Sequence, residues 1–244
     1  MTRIVLVTGG TSGIGRAVAA RFASDDAEVF ITGRHTDTVE AAAKALEVHG
    51  VVCDATRPDQ VSSLSSQLGE RLDVLVNAAG GLAEVDPTGP GSTAPDPLDT
   101  LAAEWQSSLA QNLLSAVLTT ASVQEKLDRG GSILSIGSIG AERRGGAYGA
   151  SKAALAAWNA SLSAQVGPRG VTSNVISAGY IEGTNFFRGK MTDERHRTLV
   201  QETHDKRPGT PDDIAETAYF LASPGARHIT GQTIHVNGGA FTTR

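Results

Sequence analysis

The sequence contains one cysteine, Cys53, so no internal disulfide framework can form. No apolar run approaches the roughly 18 residues that a membrane-spanning helix requires. A basic surplus is missing too: 21 Lys and Arg face 26 Asp and Glu, for a net charge of −5, whereas a nucleic-acid binder normally shows a basic stripe. The six histidines lack metal-ligand spacing such as H-E-x-x-H, and no Gly-x-Ser-x-Gly elbow with partner residues marks a hydrolase. No metal site is therefore expected. Glycine and proline together reach only about 15% of the chain and follow no fixed period, which excludes collagen, repeat arrays and low complexity. The apolar run Ile4-Val5-Leu6-Val7 is too short for a signal peptide. The expectation is a soluble, cytoplasmic protein that acts on a small molecule, with neither nucleic acid nor membrane as partner.

What is present in the 244 residues is an alternation of short β-branched runs and longer Ala-rich stretches. Strands are predicted over 3–8, 28–32, 50–53, 72–77, 132–137, 171–176 and 233–236. Several are apolar throughout, as in a parallel sheet covered by helices on both faces. Helices are predicted over 13–24, 37–47, 58–69, 98–127, 148–166 and 211–222. Such strand–helix–strand repetition means right-handed βαβ units and an α/β, doubly wound sheet. No linker divides the chain, so residues 1–244 are read as one domain. Two stretches break the rhythm. Residues 81–97 carry Pro87, Pro90, Pro95 and Pro97, and residues 180–208 form a polar excursion around Met191-Thr-Asp-Glu. Both follow strand ends at the edge where open α/β sheets bind ligands, and both are expected to cover a substrate cleft. Cys53 reads as a buried small hydrophobe, and Trp105 and Trp158 as packing residues.

The turn Thr8-Gly9-Gly10-Thr11-Ser12-Gly13-Ile14-Gly15 follows the first strand and opens the first helix. Glycines let the backbone approach a ligand while free helix N–H groups attract an anion. The spacing, G-x-x-x-G-x-G, differs from the G-x-G-x-x-G fingerprint, and a mere glycine-rich turn is the alternative. Its place at the first strand–helix junction favours a nucleotide. A ribose-reading Asp or Glu belongs at the end of the second strand, but Arg34 stands there instead, with Arg16 just past the glycines. Two guanidinium groups suit a 2′-phosphate, which predicts NADP(H) over NAD(H); a solvated loop arginine is the alternative.

Tyr148 and Lys152 stand four residues apart, on one helical face. A phenol with pKa about 10 is a poor acid–base group at neutral pH. A cation near 4 Å favours phenolate by a few kcal/mol at intermediate dielectric. Ser138 closes the fifth strand at the same sheet edge, able to hydrogen-bond a substrate oxygen. Asn77-Ala78-Ala79-Gly80 ends the fourth strand with small residues that let a flat ligand pass close to the backbone. Asn112, inside a long helix, is read as holding a kink or a water, or as a plain polar helix residue.

In family order, Thr8-Gly-x-x-x-Gly13-x-Gly15, Asn77-Ala-Ala-Gly80, Ser138 with Tyr148-x-x-x-Lys152, and Arg207-Pro-Gly-Thr-Pro-Asp-Asp213 through Val236-Asn-Gly-Gly239 resemble the short-chain dehydrogenase/reductase superfamily nearly end to end. The resemblance is strongest to its β-ketoacyl-carrier-protein reductase-like branch. It implies a Rossmann-type, seven-stranded parallel sheet and hydride transfer between nicotinamide and a ketone or secondary alcohol. It implies Tyr148 as acid/base, Ser138 as donor to the substrate oxygen, and Lys152 as holder of the ribose that also lowers the Tyr148 pKa. Asn112 would support a proton-relay water, and Asp54 with Ala55 would meet the adenine. Gly179, Ile181 and Thr184 would meet the nicotinamide, and a homotetramer would form through the helices near 98–127 and 148–166 and the last strand. Three departures stand out. Ser138 precedes Tyr148 by ten residues rather than about thirteen, a spacing that Ser135 satisfies instead. Ala178 replaces a proline, and Thr184 comes one place late, behind Gly183. A catalytically silent NADP(H) sensor and an NAD-linked alcohol dehydrogenase are the competing functions.

Overall fold

A computed structural model describes residues 2–83, 96–143 and 145–243. In chain order its elements are β1 (Ile4–Thr8), α1 (Gly13–Ala23), β2 (Glu28–Gly33), α2 (Thr36–Leu46), β3 (His49–Val52), α3 (Pro58–Gln67) and β4 (Leu72–Asn77). There follow α4 (Pro97–Leu109), α5 (Ser115–Val123), β5 (Leu127–Ser138), α6 (Gly146–Val166), β6 (Thr172–Ala178), α7 (Asp193–Glu202), α8 (Pro211–Leu221) and β7 (Thr233–Val236). The strands form one seven-stranded sheet in the order β3-β2-β1-β4-β5-β6-β7, every neighbouring pair parallel. The chain is thus a single Rossmann-like domain, as the resemblance implied. The order turns back between β1 and β4, which opens a crevice at their carboxyl ends.

Strand alternation sorts the core into two layers. Val5 and Val7 of β1 and Val74 and Val76 of β4 meet Val18, Ala19 and Phe22 of α1 and Ile214 and Ala218 of α8. Leu6 and Leu75 point the other way, among Val61 and Leu64 of α3, Val123 of α5 and Leu162 of α6. The central strands β1 and β4 are buried on both faces, which explains their apolar runs. Cys53 lies in the second layer, where burial pushes its thiol up to about 11. Trp158 packs against that layer. Trp105 does not pack as expected: it stands 41% exposed on α4.

Several elements differ from the sequence expectations. The stretch read as one helix over 98–127 is α4 and α5 joined by a π-helical turn, Ala110–Leu114, with a short 3₁₀ turn following at Gln124–Lys126. Strand β5 begins at Leu127 rather than 132, because Leu72 and Leu127 pair before a register shift in the ladder. The excursion over 180–208 contains α7, whose first turn Thr192 caps by accepting a hydrogen bond from the Arg195 amide. The signal was a capping threonine followed by Asp193 and Glu194, acids that suit the positive end of a helix. Helix α8 starts with Pro211 behind a reciprocal Thr210–Asp213 capping box. Of the loop over 81–97, residues 84–95, with Pro87, Pro90 and Pro95, lie outside the described residues, as does Arg144.

Candidate active site

The floor of the crevice is set by two close approaches. Gly9 has φ +66°, and a Cβ there would stand 2.8 Å from the Ala79 Cα; a Cβ on Gly15 would stand 2.3 Å from the Gly9 carbonyl oxygen. No side chain but hydrogen fits either place. Thr8 at the end of β1 fastens the arrangement, its hydroxyl oxygen accepting hydrogen bonds from the amides of Ala78 and Ala79, both at 3.1 Å. The glycine turn is thereby folded onto the end of β4. Ser12 caps α1 by backbone position only, its side chain making no cap bond, and no acidic residue lies in the first turn. The amide groups there remain available to an anion. Ile14 turns its side chain to the core, so only its backbone can serve a ligand. Thr11 packs against the end of β2, its methyl 2.7 Å from where a Gly33 Cβ would be. Arg34, just past β2, and Arg16 in α1 are both exposed to solvent.

Asp54 follows β3 at the same edge. Its Oδ1 accepts from the Thr56 amide at 3.0 Å and the Thr56 hydroxyl at 2.8 Å, and Ala55 beside it is buried. Asn77 is buried with its side chain turned into the sheet, donating to Thr120 Oγ1 at 3.0 Å and Ser135 Oγ at 3.5 Å. Its backbone, with Ala78 and Gly80, is what borders the crevice. Gly80 approaches Asn112 so closely that a Cβ would sit 2.6 Å from Asn112 Oδ1. Asn112 donates to the carbonyls of Gly81 at 2.9 Å and Ser108 at 3.0 Å, and accepts from the Gly81 amide at 2.9 Å. It lies in the π-helical turn, where the backbone ladder changes register and a carbonyl needs another donor. These bonds fasten the π-helical turn to the backbone after β4.

Ser138 ends β5 with its Oγ accepting from the Gly140 amide at 3.1 Å. Ser135 is buried beside Asn77, away from the phenol, which leaves Ser138 as the serine that hydrogen-bonds Tyr148. The short spacing between Ser138 and Tyr148 is absorbed by glycines. A Cβ on Gly145 would meet the Gly140 oxygen at 2.4 Å and one on Gly149 would meet it at 2.3 Å, so the turn after β5 sits directly on the first turn of α6.

Burial pushes the Tyr148 phenol up, and the Ser138 hydroxyl pulls it down. Lys152 is 6% exposed, and desolvation brings its ammonium down to about 8. Its Nζ donates to the Ile136 carbonyl at 2.7 Å and lies 5.9 Å from the centre of the Tyr148 ring. In the free protein the lysine is spent on a β5 carbonyl, and burial, opposed by Ser138, sets the phenol.

Beyond β6, Gly179 backs onto Asn237, where a Cβ would come within 2.7 Å of its Cα. Ala178 in place of proline simply extends β6 by pairing with Val236. Ile181 is buried and bridges to Gly209. Thr184 donates to the Ile181 carbonyl at 3.2 Å, and its methyl lies 3.5 Å from a Cβ built on Gly13. Although one place late, this threonine stands over the glycine turn. Sequence reasoning overlooked the Thr8 clamp and the contact of Arg188, which donates to the Leu82 carbonyl at 2.6 Å and so ties the two loop regions together. No sequence signal pairs those positions. Among the described residues, no group of three or more His, Cys, Asp or Glu could hold a metal ion, and no helix is long and apolar enough to cross a membrane.

A family model described as enoyl-(acyl carrier protein) reductase matches residues 9–241. A putative oxidoreductase of Mycobacterium tuberculosis H37Rv is 36% identical over 245 residues, 97% of either chain. The 3-oxoacyl-acyl-carrier-protein reductase FabG of Escherichia coli K12 is 34% identical over 251 residues, spanning 98% of this chain and 97% of that one. A short-chain dehydrogenase from Burkholderia cenocepacia, solved in complex with NADP, has a TM-score of 0.82 at 30% identity and covers 98% of this chain and 97% of its own.

Proposed function

We propose that this chain, which belongs to the short-chain dehydrogenase/reductase family, catalyses NADP(H)-dependent interconversion of a ketone and a secondary alcohol, with Tyr148 as the acid/base. The observation that carries the reading is the convergence of Ser138, Tyr148 and Lys152 at the same sheet edge as the glycine turn. A silent nucleotide sensor has no use for a buried lysine beside a serine-bonded phenol.

The residues fit the cofactor. Gly9, Gly13 and Gly15 leave room against the open N-terminus of α1 for a pyrophosphate, and Thr11, Ser12 and the Ile14 amide border it. Arg34 and Arg16 would take a 2′-phosphate, Asp54 and Ala55 the adenine end, and Lys152 with Tyr148 the nicotinamide ribose. Asn77, Ala78 and Gly80 would line the crevice, with Gly179, Ile181 and Thr184 at the nicotinamide end. When bound, nicotinamide supplies or accepts the hydride at the carbonyl carbon.

The protein's own part is proton transfer and orientation. Ser138 donates to the substrate oxygen and fixes it beside the phenol. Tyr148 gives that oxygen its proton in reduction and removes it in oxidation. The Lys152 ammonium stabilises charge developing on the phenol oxygen. Asn112 holds Gly80 and Gly81 and so shapes the crevice wall, with the loop over 180–208 covering the substrate. The 3-oxoacyl chemistry named for the Escherichia coli relative is one case of this reaction. The proposed compartment is the cytoplasm, and the proposed assembly is a homotetramer. Leu98, Leu101, Trp105 and Leu109 support self-association, because they form one exposed stripe along α4.

The test follows absorbance at 340 nm over a panel of ketones with NADPH or NADH. Turnover with a kcat/KM at least tenfold higher for NADPH is expected, with that preference lost in R34A. No oxidation of either nucleotide by any ketone, or equal use of both by the unaltered protein, contradicts the reading.

A further inference from the structure

The excursion between β6 and α8 brings aromatic rings to the candidate acid/base. Phe186 meets the Tyr148 ring edge to face with centroids 5.3 Å apart, and Phe187 meets Phe186 at 5.0 Å. Tyr180 meets Phe187 at 5.9 Å, and its hydroxyl shares a 2.8 Å hydrogen bond with His196 Nδ1 on α7. From the other side the Arg188 guanidinium donates to the Leu82 carbonyl. Both ends of the segment carrying the phenylalanines are thus tied down, and the rings are held where they are seen.

A carbonyl oxygen served by Tyr148 and Ser138 has to lie at the edge of the phenol. One carbon substituent then falls against whatever flanks that ring, and what flanks it is Phe186. A hydroxylated substituent placed there gives up its water and gains no partner. An apolar, flat substituent gains ring contacts in their preferred edge-to-face geometry. We propose that Phe186, backed by Phe187, is the specificity-determining wall of the substrate site and selects ketones and secondary alcohols with an aryl or similarly apolar substituent. The inference rests on the acid/base reading of Tyr148.

The experiment compares kcat/KM with NADPH for acetophenone and for dihydroxyacetone in the unaltered protein, F186A and F186L. The ratio of the two is taken on each preparation, so a partly unfolded fraction cancels. The unaltered protein favours acetophenone at least tenfold, a range that small changes in an apolar pocket reach. F186A cuts the ratio at least tenfold, mainly through a higher KM for acetophenone, and F186L recovers part of it. An unchanged ratio in an active F186A, a parallel loss on both substrates, or preference of the unaltered protein for dihydroxyacetone overturns the inference while leaving hydride transfer intact. If the unaltered protein oxidises NADPH with no ketone at all, the functional reading itself falls and takes the inference with it.

Discussion

Lys152 and Tyr148 lie on one face of α6, and burial drives each toward its neutral form, the lysine downward and the phenol upward. The lysine gives up its proton at about 8 instead of 10.5. Between those values the unfolded chain binds a proton that the folded chain has released, so this group's burial penalty holds below about 8 and fades as pH rises toward 10.5. On the proposed role of Lys152 the useful form is the ammonium, so activity runs the opposite way. We expect kcat/KM to fall with an apparent pKa near 8, and the residual rate of K152M to lack that alkaline limb. A plateau extending to pH 10 in the unaltered protein contradicts this. The sequence told much of this residue pair, since four-residue spacing on a helix places two side chains together. It could not tell that the ammonium would find the Ile136 carbonyl, because that partner is a backbone group of another element. Thr184 teaches the same lesson: counting put it one place late, while the path of the loop brings it over Gly13.

At the scale of elements, the break between α4 and α5 is the feature that periodicity missed. No Gly or Pro interrupts residues 98–127, and the tertiary bonds of Asn112 to Gly81 are what mark the place where the ladder widens. Replacing Asn112 with Ala leaves the Gly81 amide and carbonyl without those partners, at an expected loss of about 1–3 kcal/mol. Urea denaturation followed by circular dichroism reads this as a lower midpoint at constant slope. A midpoint equal to that of the unaltered protein shows that the three bonds carry no net stability. The short turn from β5 to α6 was visible as a missing three residues, but its remedy, Gly145 and Gly149 lying on the Gly140 carbonyl, needs the coordinates. Helix α7 could have been found from Thr192 and the acids after it.

For the molecule as a whole, the parallel sheet was legible because central strands buried on both faces, such as β1 and β4, read as apolar runs with little alternation. Surfaces were not, since sequence cannot say which apolar helix face remains uncovered. Trp105 shows this: read as a packing residue, it stands with Leu98, Leu101 and Leu109 on the outside of α4. If that stripe is the assembly surface, charged substitutions W105E and L109E together shift the mass found by light scattering from oligomer to monomer. An unaltered mass places the interface elsewhere. The proposed proton transfer turns on a single hydroxyl, so comparing Y148F with the unaltered protein in two readings probes it without intermediaries. NADPH binding by fluorescence titration should stay within threefold, while kcat for ketone reduction drops by about 10²–10⁴-fold, the usual loss of an acid–base group; a variant that binds NADPH and still turns over at more than a tenth of the original rate contradicts the account.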